Sequence, residues 1–283
     1  MTLTVTEQHR AAVPAATPLR VDRDDPFFFD HPLDHVPGML LVAGLLDVVR
    51  AAGGGGTDAN RVALSLTFAT LCELDEATAL SATPHAVAPD GQVRAWSVRA
   101  VQSGRDVCTG LVSGYRVDPT EITPVPAGAP VLPADRRLVH RARPENVLIG
   151  APERIAGEYR FPVLPPAAGT FLSRRGRGGY CVETLIESGR QMSTMLAHTD
   201  AGHPLGTQLL WSTVDADLPW SLPAGAAPAL LCRPDRAKGR RMRYRATLVG
   251  AGAGQFHGAL GYTCAAVSAA SFHRFRAAAG RAA

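Results

Sequence analysis

Residues 27–41 read FFFDHPLDHVPGMLL and hold two histidines beside two aspartates, directly before an apolar segment. An imidazole gains and loses a proton near neutral pH, so His31 or His35 is predicted to act as a general base. Asp34 is expected to contact the substrate. The alternative is structural, with Asp30 and Asp34 capping a helix and the histidines satisfying a loop. Because all four polar residues adjoin an apolar helix, function is the favoured interpretation.

Pro37-Gly38 suits the start of the helix that follows. Proline has its φ angle preset for a first helical turn, and glycine lets another group approach the exposed N–H groups there. Those N–H groups have a partial positive charge and can hold a carbonyl oxygen that becomes negative. Gly38 is therefore predicted to bind the reacting carbonyl.

A second polar group lies in residues 183–198, ETLIESGRQMSTMLAH, within an otherwise apolar helical pattern. Glu187 and Arg190 are three residues apart and share a helix face. Buried charges are costly unless they are paired or used. One interpretation is an internal ion pair. The other makes Glu187 an acid or base with a raised pKa and Arg190 its partner or a phosphate anchor; Gln191 is expected to contact substrate.

A third candidate is the basic run at residues 240–245, RRMRYR. In a strand, Arg241, Arg243 and Arg245 would share one face. With Arg236 and Lys238 they form a basic strip. It is either a solvated sheet face or a docking patch for an acidic carrier protein or a phosphate, and Arg243 is expected to contact the substrate.

Composition limits the classes of protein that fit. The chain has 283 residues, of which 46% are hydrophobic and 19% charged, so a folded core and roughly two domains are expected. No apolar run reaches the roughly 18 residues of a membrane helix, and the polar beginning favours a soluble cytoplasmic protein. With 6% aromatic residues and a net charge of +4, nucleic-acid binding is disfavoured. Five cysteines without a CxxC pair argue against disulfides or a metal site.

The chain divides into two similar halves around a proline-rich segment. Residues 118–135 contain five prolines and are predicted to be a linker between units 1–117 and 136–283. Each unit begins with an apolar helical segment, at 38–52 and 180–198, and continues into strand-like runs. Helices that are apolar nearly all round are buried, so the pattern indicates a duplicated α+β fold. The predicted strands are 61–74, 92–103, 105–117, 206–214, 227–232, 239–250 and 254–267.

These motifs resemble a known family. FDHPLDHVPGMLL at residues 29–41 resembles the signature of the A-factor biosynthesis hotdog family, the γ-butyrolactone synthase-like proteins. The second half is similar to the other repeat of that family. Its matching pieces are VHRARPENVLIG (139–150), the ExxRQ of Glu187, Arg190 and Gln191, LAH (196–198) and GHPLGTQLLW (202–211). The resemblance implies a tandem double hotdog, with two long central helices each wrapped by a curved antiparallel sheet.

The resemblance also implies an activity. The family acts on acyl groups carried by acyl carrier protein or coenzyme A, and its best-known reaction moves a β-ketoacyl group onto the hydroxyl of dihydroxyacetone phosphate. It implies no metal or redox cofactor; the acyl substrate would be held on phosphopantetheine. In the related dehydratases, a histidine before Pro-Gly and a carboxylate on the opposing helix form the active pair.

The chain departs from the family pattern in two ways. The two repeats stand in reversed order, and the first helix has Ala43, Leu46 and Asp47 where the family has Glu, Arg and Gln. The second repeat keeps Glu187 and Arg190 but has no histidine before its helix. This complementary loss predicts one shared site rather than two.

Acyl transfer to a hydroxyl acceptor is therefore the leading hypothesis. A dehydratase or isomerase of a β-hydroxyacyl thioester is the first alternative, and a raised pKa of Glu187 would favour it. A non-catalytic binding protein with a degenerate site is the second. Either a monomer or a homodimer is compatible, because a double hotdog is already a pseudo-dimer.

Overall fold

The computed structural model describes residues 16–54, 59–87, 93–118, 131–233, 241–250 and 256–279. Most of the predicted linker, residues 119–130, lies outside this part of the chain. So do Arg236 and Lys238 of the basic strip.

The described chain has four helices and thirteen strands. The helices are α1 (Gly38–Val49), α2 (Phe171–Gly176), α3 (Val182–Thr199) and α4 (Ala269–Ala279). The strands before residue 118 are β1 (Thr17–Pro18), β2 (Arg61–Phe68), β3 (Thr78–Val87), β4 (Val93–Gln102) and β5 (Arg105–Tyr115). The later strands are β6 (Glu153–Ile155), β7 (Glu158–Pro162), β8 (Tyr180–Cys181), β9 (Gln208–Pro219), β10 (Ser221–Leu222), β11 (Ala229–Cys232), β12 (Arg241–Val249) and β13 (Phe256–Val267).

Eleven of the strands form one antiparallel sheet that runs through both halves. Their order is β1-β3-β4-β5-β2-β9-β13-β12-β11-β7-β6, and β8 pairs with β10 separately. The seam between the halves is the pairing of β2 with β9, in register from Arg61 opposite Pro219 to Thr67 opposite Thr213. The two halves therefore share a continuous backbone hydrogen-bond ladder.

Each half of the sheet packs against its own buried helix. The sequence of α1, GMLLVAGLLDVV, is apolar nearly all round, and the helix packs against β3, β4 and β5. Helix α3 packs against β9, β12 and β13, and the two helices contact each other. Two helix-and-sheet units joined in this way are a double hotdog, as the motifs predict.

The predicted elements match the observed ones with informative exceptions. Strand β3 is missed because Pro84 interrupts its pattern; the register with β4 shifts between Pro84 and Ala86. Strand β2 ends at Phe68, six residues earlier than predicted, and the residues that follow line a cavity. None of the described helices is both long and apolar enough to cross a bilayer.

Candidate functional site

A cavity of about 500 Å³ opens at the N-terminal end of α1 and is shared by the two halves. This volume lies in the range typical of small-molecule sites. The first half contributes His31, His35 and Gly38, and the second contributes Glu187 and Arg190. The complementary residues thus meet in one cavity, although their catalytic roles stay predictions. The apolar lining includes Phe28, Leu33, Val36, Met39, Leu41, Phe68, Leu71, Leu209, Leu210 and Trp211.

The start of α1 exposes backbone N–H groups to this cavity. Pro37 occupies the N-cap position and no side chain caps the helix. Among the described residues, no acceptor bonds the N–H of Gly38. A Cβ atom on Gly38 would lie 3.1 Å from Cε3 of Trp211, so glycine permits the close approach of the indole. The capping role considered for Asp30 and Asp34 is wrong, because both carboxylates bond to histidines instead.

Asp30 and His31 form a dyad at the cavity wall. The fully buried carboxylate of Asp30 lies 2.7 Å from Nδ1 of His31 and accepts further bonds from the Ala142 N–H and the Asn146 amide. Burial raises the pKa of Asp30, but the bond from His31 and the charge of Arg141 outweigh it and lower the pKa below its usual value. An ionised Asp30 accepts a hydrogen bond from Nδ1–H of His31, so Nε2 of a neutral His31 holds a free lone pair.

Asp34 and His35 form a second, more exposed pair. Nδ1 of His35 lies 2.7 Å from Asp34, whose carboxylate is half exposed and also pairs with Arg276 of α4 at 3.0 Å. Arg276 extends to Glu73 as well. Asp34 does not line the cavity, where it was expected to contact substrate. Its carboxylate instead bonds His35 and Arg276 of α4.

Glu187 is fully buried and bonded by three side chains. Arg141 donates to Oε1 at 2.7 Å, Arg190 donates to both oxygens at 2.7–3.0 Å, and the amide of Gln191 donates to Oε1 at 2.8 Å. Burial raises the pKa of Glu187, but the charges of Arg141 and Arg190 prevail and lower it to about 2. The expected raised pKa is therefore wrong, and the internal ion pair is the interpretation that the structure supports.

Two other residues predicted to contact substrate, Gln191 and Arg243, do not line this cavity. Gln191 is completely buried, and its amide bonds the Leu148 N–H, the Asn146 carbonyl and Glu187, so it faces protein rather than the cavity. Arg243 is exposed on β12 and does not line the cavity. Any binding role of Arg243 must therefore be exerted at the outer surface.

The sequence did not single out Arg141 and His140, both of which line the cavity. Arg141 also donates to the Phe27 carbonyl at 2.7 Å, which joins the segment before α1 to α3. The two residues lie in irregular backbone, where no hydrophobic period marks them. The only available signal was the similarity of residues 139–150 to the second family repeat.

The N-terminus of α3 is covered by protein, whereas the N-terminus of α1 adjoins the cavity. The N–H of Val182 bonds the Trp220 carbonyl at 3.0 Å. Beside it, the buried carboxylate of Glu183 pairs with Arg50 at 2.6 Å and with Arg175 at 3.2 Å. This network provides a second buried carboxylate with two guanidinium partners, away from the cavity.

Replacing Glu187 with Gln is expected to destabilise the protein by about 3–5 kcal/mol, because Arg141 and Arg190 lose the charge that compensates them. The lowered pKa gives the sign of the pH effect. The stabilisation by Glu187 is complete above about pH 4.5 and is lost as the pH falls toward 2. Urea unfolding at several pH values measures both effects.

The matched control is Glu183→Gln, which removes a buried charge from Arg50 and Arg175 without touching the cavity lining. It is expected to lower the unfolding midpoint comparably. A Glu187→Gln protein as stable as the parent at pH 7 would contradict the ion-pair assignment.

Comparison with known proteins agrees with the motifs. Residues 3–117 match the family described as A-factor biosynthesis hotdog domain. A 2-oxo-3-(phosphooxy)propyl 3-oxoalkanoate synthase of Streptomyces virginiae is 34% identical over 155 residues, which cover 50% of this chain and 50% of that protein. The match thus spans about half the length of this curated relative.

Solved structures similar to this chain share its fold at low identity. The dehydratase domain of RzxB from Pseudomonas fluorescens has a TM-score of 0.58 at 12% identity, covering 87% of this chain and 92% of that one. Acyl-CoA thioesterase II TesB2 from Mycobacterium marinum has a TM-score of 0.52 at 15% identity, covering 82% and 89%. Residues 3–117 of this chain are therefore similar to the A-factor biosynthesis hotdog domain, within a double-hotdog fold that extends through both halves.

Proposed function

We propose that this chain is an acyltransferase of specialised metabolism. It would take an acyl group, of the β-ketoacyl class, from a thioester on acyl carrier protein or coenzyme A and place it on a hydroxyl acceptor. The observation that supports this most is the Asp30–His31 dyad in a cavity that ends at the uncapped N-terminus of α1. A fixed base and exposed N–H groups are the two elements that acyl transfer needs.

The apolar side of the cavity would hold the acyl chain. Phe68 and Trp211 lie with ring centroids 5.6 Å apart beside Gly38. Burying a hydrocarbon chain against such a wall is favourable in proportion to the apolar area removed from water. The thioester carbonyl would then lie at the Gly38 N–H.

The reaction would proceed by addition and elimination. Nε2 of His31 takes the proton of the acceptor hydroxyl. The oxygen of that hydroxyl attacks the carbonyl carbon at the same time. The negative oxygen of the tetrahedral intermediate is held by the N–H groups at the start of α1. The C–S bond then breaks, and the protonated His31 returns its proton to the departing sulfur, so the ester and the free thiol are formed.

Glu187 would act as an anchor rather than as an acid. Its low pKa keeps it ionised and paired with Arg141 and Arg190. A dehydratase that relies on a neutral carboxylic acid at this position is therefore disfavoured. Arg190 lines the cavity, and its ion pair with Glu187 would hold both side chains in place beside the reacting groups.

His31→Ala is expected to lower kcat/KM by about 10²–10⁴-fold, the usual contribution of a general base. The assay incubates the protein with a β-ketoacyl pantetheine thioester and dihydroxyacetone phosphate or a neutral polyol, and mass spectrometry detects the ester. His35→Ala is expected to have a smaller effect, because its aspartate partner is half exposed.

The matched control is His85→Ala, which removes an exposed imidazole on β3 away from the cavity. Unfolding midpoints of all three variants separate chemistry from stability. Full activity of the His31→Ala variant would show that His31 is not the general base. Loss of water from a β-hydroxyacyl thioester, with no ester formed, would instead support the dehydratase alternative. Binding of the thioester without turnover would support the non-catalytic binding protein.

The exposed arginines of β12 suit an acidic carrier protein. Arg241, Arg243 and Arg245 lie on one face of the strand, and in the described part of the chain they have no ion-pair partner. The strand register places Arg241 opposite Ala265, which is opposite Leu210 of the cavity lining. Charge complementarity at such a surface accelerates association with an acidic partner.

Changing these three arginines to Gln is expected to raise KM for the carrier-bound thioester roughly tenfold, while KM for the pantetheine thioester is unchanged. The matched control changes the exposed Arg99, Arg105 and Arg116 of the first half to Gln, with the same loss of charge. Equal effects of the two triple changes would contradict a specific docking role.

A further inference from the structure

A pair of histidines links the cavity wall to the C-terminal end of α3. Nε2 of His140 lies 2.8 Å from Nε2 of His198, and Nδ1 of His198 lies 2.8 Å from the carbonyl oxygen of His203. His140 lines the cavity, whereas His198 does not. The pair has no part in the proposed acyl transfer.

The hydrogen bonds limit which nitrogens of this pair can hold protons. A carbonyl oxygen only accepts, so Nδ1 of His198 must donate to His203. With His198 in its neutral form, Nε2 of His198 holds a lone pair and accepts a hydrogen bond from Nε2–H of His140. Nδ1 of His140 is consequently unprotonated, and no other group in the described part of the chain bonds with it. His140 lines the cavity and its Nδ1 is not among the buried atoms without a partner, so this tautomer offers a hydrogen-bond acceptor at the cavity wall.

The surroundings keep His140 neutral and in place. Burial, followed by the charge of Arg190 and the imidazoles of His198 and His31, lowers the pKa of His140 to about 3. Its backbone is in the left-handed region, with φ of 53°, which is uncommon for a residue other than glycine. Arg190 also donates to the Val139 carbonyl at 3.1 Å, which holds the segment against α3.

Positive charge around this nitrogen is already compensated. Arg141 and Arg190 both donate to Glu187, and Arg141 lies 3.6 Å from Asp30 as well. A ligand that contacts His140 therefore contacts a neutral hydrogen-bond acceptor. The charged side chains beside it, two arginines and two carboxylates, balance each other. Such a site recognises a neutral donor, and a hydroxyl group is the donor that a small acceptor molecule would offer.

We propose that His140 is a specificity residue that accepts a hydrogen bond from a second hydroxyl of the acyl acceptor. The acceptor would be a neutral polyhydroxy compound, with one hydroxyl at His31 for attack and another at Nδ1 of His140. This inference rests on the proposed acyl transfer and adds the class of acceptor. A site that hydrogen-bonds a substrate hydroxyl rejects analogues that lack it, because its polar group is then left unpaired.

The test compares three acceptors in the transfer assay: dihydroxyacetone, hydroxyacetone and dihydroxyacetone phosphate. The parent protein is expected to prefer dihydroxyacetone over hydroxyacetone by at least tenfold in kcat/KM, and over the phosphate ester as well. His140→Phe keeps an aromatic ring but no acceptor nitrogen, and is expected to abolish the preference over hydroxyacetone. His198→Glu keeps a hydrogen-bond acceptor for Nε2 of His140. This variant is expected to retain the preference for dihydroxyacetone over hydroxyacetone.

The outcomes separate the two proposals. Transfer with equal efficiency to dihydroxyacetone and hydroxyacetone, or a preference for the phosphate ester, overturns the role of His140 and leaves acyl transfer standing. If no acceptor is acylated, acyl transfer fails, and ¹⁵N NMR of the imidazoles still judges His140. An unprotonated Nδ1 whose resonance shifts on addition of dihydroxyacetone supports the assignment. A protonated Nδ1, or no shift, overturns it.

Discussion

The buried carboxylate of Glu187 is the interaction on which the site depends. It attracts two guanidinium groups, and each of these also bonds a backbone carbonyl, Arg141 at Phe27 and Arg190 at Val139. Two separate segments, the one before α1 and the one before β6, are thereby fixed to α3. A buried ion that loses its partner is severely destabilising, so these segments cannot separate without a large penalty. The imidazole of His31 and the cavity wall lie beside the segments that this constraint holds in place.

The two halves have diverged in a complementary way. The first keeps an open helix start and the Asp30–His31 dyad, while the second keeps the charged cluster. The start of α3 is closed by the Trp220 carbonyl and by the ion pairs of Glu183. One end of the pseudo-dimer thus opens into a cavity, and the corresponding end is filled by protein. The cavity at the start of α1 is lined by residues from both halves.

The sequence predicts the frame better than the details of the site. Apolar helices and alternating strands leave strong periodic signals, so α1, α3, β4, β5 and β12 are found close to their observed bounds. The pKa of Glu187 is predicted in the wrong direction, because its second partner, Arg141, lies 46 residues away in irregular backbone. Gln191 and Asp34 share the motif with true cavity residues, yet their side chains bond protein. Motifs identify residues, whereas orientation depends on tertiary contacts that have no sequence period.

The continuous ladder between β2 and β9 has a consequence for how such a protein can change. Seven consecutive residue pairs join the halves, so the frame resists bending between them. New ligand preferences must therefore arise in the segments where strands end, such as residues 69–72 after β2 and 208–211 at the beginning of β9, which line the cavity. Evolution can alter these edges one residue at a time while the rigid frame preserves the alignment of the other cavity residues.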